Sequence, residues 1–250
     1  MKIGALIIGD EILSGKRQDR HFAFLQSILA DRGLELSWTI IVGDDAQQLE
    51  RVIRFSMTSP DLVFSFGGIG ATPDDRTRQT VALVKQVGIK PHPDAVREIE
   101  AQYGDSAYPN RILMGHLPEG SRIIPNPVNR VPGFSVDNHH FMPGFPEMAW
   151  PMVEWILDNN YQDLRDLSPR SERIITITKG RESDLLEIMN EIVDAFPNLL
   201  LSSLPHLGDV PYIELSLRGE DDDIEQAMTL MIAAIEKLGF EWSDHTAGNQ

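Results

Sequence analysis

The chain has 250 residues, enough for one main domain with a smaller companion but too few for three. Its 38 acidic residues against 22 basic ones give a net charge of -16, which repels a polyphosphate backbone and sets nucleic acid aside as a partner. The absence of cysteine excludes disulfides, thiolate metal sites and a cysteine nucleophile; with no apolar run suited to a signal peptide or a membrane span, a cytoplasmic protein without membrane association is expected.

Ile3 to Ile8 is an uninterrupted apolar run ending at Gly9-Asp10-Glu11, the pattern of a strand buried on both faces of a parallel sheet. Phe22, Leu25, Ile28 and Leu29 then recur at helical spacing up to Gly33, which suits a left-handed cap. The unit repeats: Leu34 to Val42 reads as a strand, Gly43-Asp44-Asp45 as its exit, and Ala46 to Thr58 as a helix with Leu49, Val52, Ile53 and Met57 on one face. Leu62 to Phe66 is a third buried strand, followed by a glycine-rich segment and a helix over Thr77 to Val87. Alternating strands and helices predict an α/β fold with a doubly wound parallel sheet. Pro93 to Tyr103 reads as a further helix, and Asn110 to Arg130, dense in proline, glycine and asparagine, as mostly loop. Phe134-Ser135-Val136 and His139 to Met142 are expected to pair around Asp137-Asn138, before Pro143-Gly144-Phe145-Pro146 turns the chain into a helix ending near Asp158.

This pattern places the main domain over residues 1–160, a polar linker over 161–172 and a smaller α+β domain over 173–250. The small domain reads as strands at Ile174 to Thr178, Leu199 to Leu204 and Tyr212 to Leu217, with helices at Ser183 to Phe196 and Ile224 to Leu238.

Ligands of open α/β sheets bind where loops leave the carboxyl ends of the strands. Three such exits join glycine to acids: Gly9-Asp10-Glu11, Gly43-Asp44-Asp45, and the segment from Gly67 to Asp75. Gly67, Gly68 and Gly70 allow amide groups to approach a phosphate, and Thr72 and Thr77 add hydroxyl donors. The same glycines also suit a plain strand-to-helix turn, and Asp74 or Asp75 could cap the helix that follows. Carboxylates beside a phosphate repel it unless a cation lies between, which makes Asp44 and Asp75 candidates for holding a divalent metal; each also fits a cap or a solvated loop position. His139 and His140, adjacent on a strand, point to opposite faces and read as hairpin structure rather than a metal site. Glu220 to Asp223 reads as a solvated helix start.

Taken together, Gly9-Asp10-Glu11-Ile12-Leu13-Ser14-Gly15, Val42-Gly43-Asp44-Asp45, Gly67 to Asp75 with Thr77, and Pro143-Gly144-Phe145-Pro146 resemble the MoaB/Mog family of molybdopterin-binding domains in order and spacing. Within it, Met1 to Asp158 is most similar to the N-terminal region of CinA-type competence/damage-inducible proteins, and is related to the N-terminal domain of eukaryotic FAD synthase. The resemblance implies hydrolysis of a nucleotide pyrophosphate such as ADP-ribose with a divalent ion, magnesium or cobalt, or else binding of molybdopterin or a nucleotide without hydrolysis. It also implies a homo-oligomer. On this resemblance Asp44 and Asp75 are the metal-binding and catalytic acids, and Gly68 and Gly70 cradle the phosphate. Asp10, Glu11, Gly67, Thr72, Asp74, Thr77, Pro143 and Gly144 complete the ligand-binding set. Ile174 to Trp242 resembles the small middle domain of CinA in element order, and the deamidase activity of full-length CinA is expected to be absent. Ala71 stands in place of the family's usual proline, Arg20-His21 in place of threonine-asparagine and Phe145 in place of a small residue, which implies a distinct subfamily with a narrower pocket.

Overall fold

The apolar run that opens the chain forms β1 (Ile3–Ile8), every residue of which is buried. It lies between β2 (Trp38–Val42) and β3 (Leu62–Phe66) and pairs in parallel with both. The computed structural model describes residues 1–164, 171–178, 180–208 and 210–244. Two units divide the chain, Met1–Leu167 and Ser168–Gln250.

In the first unit the sheet continues from β3 to β8 (His139–Met142), again in parallel, and then through β7 (Gly133–Val136) to β6 (Arg122–Ile124), both antiparallel. The strand order is β2-β1-β3-β8-β7-β6. Side chains alternate across β1, so each face needs its own cover. Ile3, Ala5 and Ile7 pack with Leu25 and Leu29 of α2 (His21–Ala30) and with Met152, Val153 and Ile156 of α6 (Pro146–Asn160). Leu6 and Ile8 pack on the other side with Leu49 and Ile53 of α3 (Ala46–Ser56), Val81 of α4 (Thr77–Lys85) and Ala95 of α5 (Pro93–Tyr103). Helices on both faces explain why the strand is apolar throughout, and each large side chain so enclosed contributes roughly 1.5–3 kcal/mol. The expected doubly wound α/β fold is the fold observed.

Three local expectations change. The second strand starts at Trp38 rather than Leu34, because Leu34 and Leu36 pack against the core from an irregular approach. The stretch expected to be mostly loop holds β6 and also β5 (His116–Pro118), which pairs with β4 (Ile89–Pro91) in a separate two-stranded sheet. The last helix of the unit runs on to Asn160.

The adjacent histidines do part to opposite faces. His139 Nε2 meets Ser56 Oγ at 3.1 Å, while His140 Nδ1 meets Ser135 Oγ at 2.7 Å and its Nε2 meets the Tyr161 hydroxyl at 2.8 Å. Burial lowers their pKa values to about 4 and about 3, so both rings are neutral at pH 7.

The second unit is an antiparallel sheet in the order β10-β11-β9-β12, with two α-helices among the described residues. Its elements are β9 (Ser171–Thr178), α7 (Leu186–Ala195), β10 (Leu200–His206), β11 (Tyr212–Gly219), α8 (Asp221–Lys237) and β12 (Glu241–Asp244). Ile175, Ile177, Leu215 and Leu217 face Met228, Met231 and Ile235 in its core. Asp221, Asp222 and Asp223 occupy the first turn of α8, where the helix dipole favours negative charge. β12 is an addition to the sequence reading. Of the linker expected over residues 161–172, 165–170 lie outside the described residues, Gln162–Leu164 form a short 3-10 turn, and Ser171 already belongs to β9. Among the described residues no helix is long and apolar enough to cross a membrane.

Candidate functional site

Four parallel strands, β1, β2, β3 and β8, end at one edge of the sheet, so the motifs that follow them meet there. The parallel pairing of β8 makes Pro143-Gly144 a fourth strand exit, where the sequence showed three. A cleft of about 490 Å³ lies across these exits, lined by Glu11, Asp44, Gly67, Gly68, Gly70, Thr72, Asp74, Asp75, Pro143 and Gly144. Asp10 and Thr77, also expected to face a ligand, are not among its lining residues.

The glycine-rich turn is shaped by contacts that only glycine permits. Gly67 has φ 104° and Gly68 φ 67°, the left-handed region that disfavours side chains. A Cβ on Gly67 would lie 2.2 Å from the Ile8 carbonyl oxygen, and one on Gly68 would lie 2.4 Å from Thr77 Oγ1. Thr77 fastens the turn from beneath: its hydroxyl donates to Gly67 O at 3.0 Å and its amide to Gly68 O at 2.9 Å. Its side chain is fully buried, so the hydroxyl expected to serve a ligand serves the loop instead.

Asp75 also acts within the loop. Its Oδ2 accepts hydrogen bonds from the Thr72 amide at 3.0 Å and from the Thr72 hydroxyl. Helix α4 begins at Thr77 with Arg76 in the capping position, so the expectation that Asp74 or Asp75 caps it is corrected. Behind the loop lies Arg78, only 4% exposed, whose guanidinium donates to the carbonyls of Gly70, Leu113 and His116. Burial pulls the Arg78 pKa down and the Asp75 carboxylate opposes that shift. An arginine on an otherwise ordinary helix gives no sequence signal of this role.

Asp10 and Asp44 hold one another across the first two exits. Asp10 N donates to Asp44 Oδ2 at 3.0 Å and Asp44 N to Asp10 Oδ1 at 3.2 Å. Burial raises the Asp44 pKa first, and the negative charges of Asp10, Glu11 and Asp74 raise it further, against the stabilising Asp10 amide. The acids that act on Asp44 are therefore these three, while Asp75 is turned toward Thr72 and Arg78.

Among the described residues no group of three or more histidine, aspartate or glutamate side chains is arranged to hold a metal ion. The residues thus form no protein-only cage. They fit an ion such as magnesium, which takes one or two carboxylates and completes its shell with water and substrate phosphates. The crowding of negative charge at Asp44 is the feature such an ion would relieve.

The cleft is also lined by Tyr103, Met114, Val131 and Met148, none of which carried a sequence signal. Two asparagines shape this part of the lining. Asn126 Nδ2 donates to Asn129 Oδ1 at 2.8 Å and to Val131 O at 3.0 Å, and Asn129 Oδ1 accepts from Val131 N at 3.0 Å. Arg17, stacked over Phe145 at 5.7 Å, contributes a positive charge. Apolar side chains together with a few fixed polar groups are the usual make-up of a small-molecule site.

Comparison with known proteins follows the same lines. The family described as "Probable molybdopterin binding domain" matches residues 4–163. A protein of Pyrobaculum calidifontis is 26% identical over 244 residues, covering 93% of this chain and 92% of its own length. A Clostridium botulinum relative named as a competence-damage inducible protein is 24% identical over 256 residues; the match takes in 100% of this chain but 62% of that protein. The crystal structure of CinA from Thermoplasma acidophilum, described as of unknown function, superposes with a TM-score of 0.58 at 28% identity, over 63% of this chain and 96% of that one. With its glycine turn, its four converging strand exits and the match across residues 4–163, the chain belongs to the MoaB/Mog-type molybdopterin-binding domain family and is CinA-like within it.

Proposed function

We propose that the cleft binds a phosphorylated small molecule, a pterin or a nucleotide, and that the chain hydrolyses a nucleotide pyrophosphate such as ADP-ribose with a divalent ion. The observation that carries this reading is that the glycine turn and the acids Glu11, Asp44 and Asp74 line one cleft together with the apolar side chains of Met114, Val131 and Met148. The amides of Gly68 and Gly70 receive phosphate oxygens, the Gly67 amide being spent on the Met142 carbonyl at 3.0 Å, and the apolar side chains of the cleft take the ring of the ligand. A bound magnesium or cobalt ion would supply Lewis-acid stabilisation of the phosphate oxygens. Asp44 and Asp75 are the carboxylates proposed to hold it, Asp75 with one oxygen already committed to Thr72. Asp44 also takes a proton from the attacking water, whose acidity the ion would raise. Water adds to one phosphorus, the bridging P–O bond breaks, and two monophosphates leave.

The test is release of AMP from ADP-ribose, followed over a panel of divalent ions. Asp44→Ala and Asp75→Ala are expected to abolish turnover; full activity in both would refute the assignment. A second reading, binding of molybdopterin or a nucleotide without cleavage, is favoured by the lack of a three-ligand cluster among the described residues. Tight binding with no turnover under any ion would select it. A homo-oligomer is proposed for either reading, and a monomer in sedimentation would exclude it.

A further inference from the structure

A second hollow, of about 400 Å³, opens beside the cleft; the two share Ile8, Glu11, Arg17, Gly144 and Phe145. The proposed chemistry leaves it unused. Its far side is built by the start of α2, where Asp19 accepts the amides of His21 and Phe22, both at 3.0 Å, and so fixes the turn that sends His21 inward. The His21 ring stacks on Phe66, with centroids 4.2 Å apart, and the residue is only 4% exposed.

The hydrogen bonds of His21 determine its tautomer. Its Nε2 lies 3.2 Å from the Gly144 carbonyl oxygen, which can only accept, so Nε2 carries the proton and Nδ1 is left as an acceptor. That Nδ1 is buried and has no partner among the described residues. Burial also holds the imidazole below its usual pKa, which keeps Nδ1 unprotonated at neutral pH. A buried acceptor without a donor is uncommon in a native fold and invites a ligand that supplies one. At the junction of the two hollows, the exposed Arg17 lies over Phe145, whereas Arg20 is paired with Glu147 at 4.0 Å.

We infer that the two hollows are halves of one ligand site, in which Arg17 meets phosphate at the junction and His21 is a specificity residue. His21 Nδ1 accepts a hydrogen bond from a hydroxyl or amine on the part of the ligand that lies beyond the phosphates. This inference rests on the proposed binding of a phosphorylated ligand, but not on its cleavage.

The test is calorimetric titration of the full chain, with magnesium, against two uncleavable probes. One is the α,β-methylene analogue of ADP-ribose, which has a group beyond the phosphates, and the other is α,β-methylene ADP, which has none. The first is expected to bind at least about fivefold more tightly, the worth of one hydrogen bond. His21→Phe, which keeps a ring over Phe66 but no nitrogen, should bring that ratio close to one, and Arg17→Ala should weaken both probes. Equal affinities in the unmodified chain, or an unchanged ratio in a folded His21→Phe, would overturn the inference and leave the proposed function standing. If His21→Phe fails to fold, the ratio in the unmodified chain and the effect of Arg17→Ala decide. Binding of neither probe would overturn both.

Discussion

Gly67→Ala tests whether the site is built on backbone contact. At φ 104° an alanine carries strain of about 1–3 kcal/mol. Its Cβ would also lie 2.2 Å from the Ile8 carbonyl oxygen, a main-chain atom at the end of the central strand that no side-chain rotation can move. Displacing it strains the packing by a further 1–3 kcal/mol or so. The predicted loss is therefore about 2–6 kcal/mol. Gly15→Ala is the control: φ is also positive, at 72°, but nothing lies within 4 Å of the new Cβ, so only the conformational cost of about 1–2 kcal/mol remains. Urea denaturation followed by tryptophan fluorescence measures both, because Trp38, Trp150 and Trp155 lie in the first unit. Gly67→Ala is also expected to lose ligand binding, since Gly67 O anchors Thr77 and the turn moves with it. If the two variants fall within about 0.5 kcal/mol of one another, the argument from close approach is wrong.

Asp44→Asn keeps an acceptor for the Asp10 amide but removes a charge the fold disfavours. A raised folded pKa means that ionised Asp44 costs stability above that pKa and the cost disappears as pH falls through it. The variant should therefore melt higher than the parent at pH 7, with the advantage shrinking in acid, while turnover falls by about a hundredfold or more. His139 and His140 give the opposite trend. With folded pKa values of about 4 and about 3 against an ordinary 6.5, only the unfolded chain takes up their protons below pH 6.5, so stability is complete above that pH and declines toward pH 4. Each contributes a slope of about 1.4 kcal/mol per pH unit, and His140→Gln should reduce the slope by that amount between pH 6 and pH 4 in a denaturation series. Arg78→Met leaves the carbonyls of Gly70, Leu113 and His116 without their donor and should cost about 3–5 kcal/mol in urea denaturation; a loss under 1 kcal/mol would show that the guanidinium is dispensable.

The main fold was legible because burial on two faces leaves a mark in sequence. Ile3 to Ile8 is apolar throughout since helices cover both sides, and α3 shows its buried Leu49 and Ile53 at helical spacing. β5 and β6 are three residues long, too short to show a period, and lie in a proline-rich stretch. β12 is hidden for another reason: Glu-Trp-Ser-Asp is polar except for one residue and is held by its edge pairing to β9. Main-chain pairing of that kind carries little information about side chains.

The candidate site divides in the same way. Glycines at the ends of strands announce a turn, because positive φ and close approach exclude other residues, so Gly67 and Gly68 could be picked out from sequence. The direction in which a threonine or aspartate points carries no such mark. Thr77 and Asp75 were expected to face the ligand, and both spend hydrogen bonds on the loop: Thr77 on Gly67 and Gly68, Asp75 on Thr72. Arg78 binds carbonyls 8, 35 and 38 residues away, and Arg17 and Phe145 meet only once the exits of β1 and β8 share an edge. These commitments have a functional consequence. With Thr77, Asp75 and Arg78 bracing it from within, the glycine turn would, on the proposed function, meet a phosphate with the amides of Gly68 and Gly70 already in place and no side chain to order. Discrimination between ligands then falls to the side chains left uncommitted at the rim of the turn.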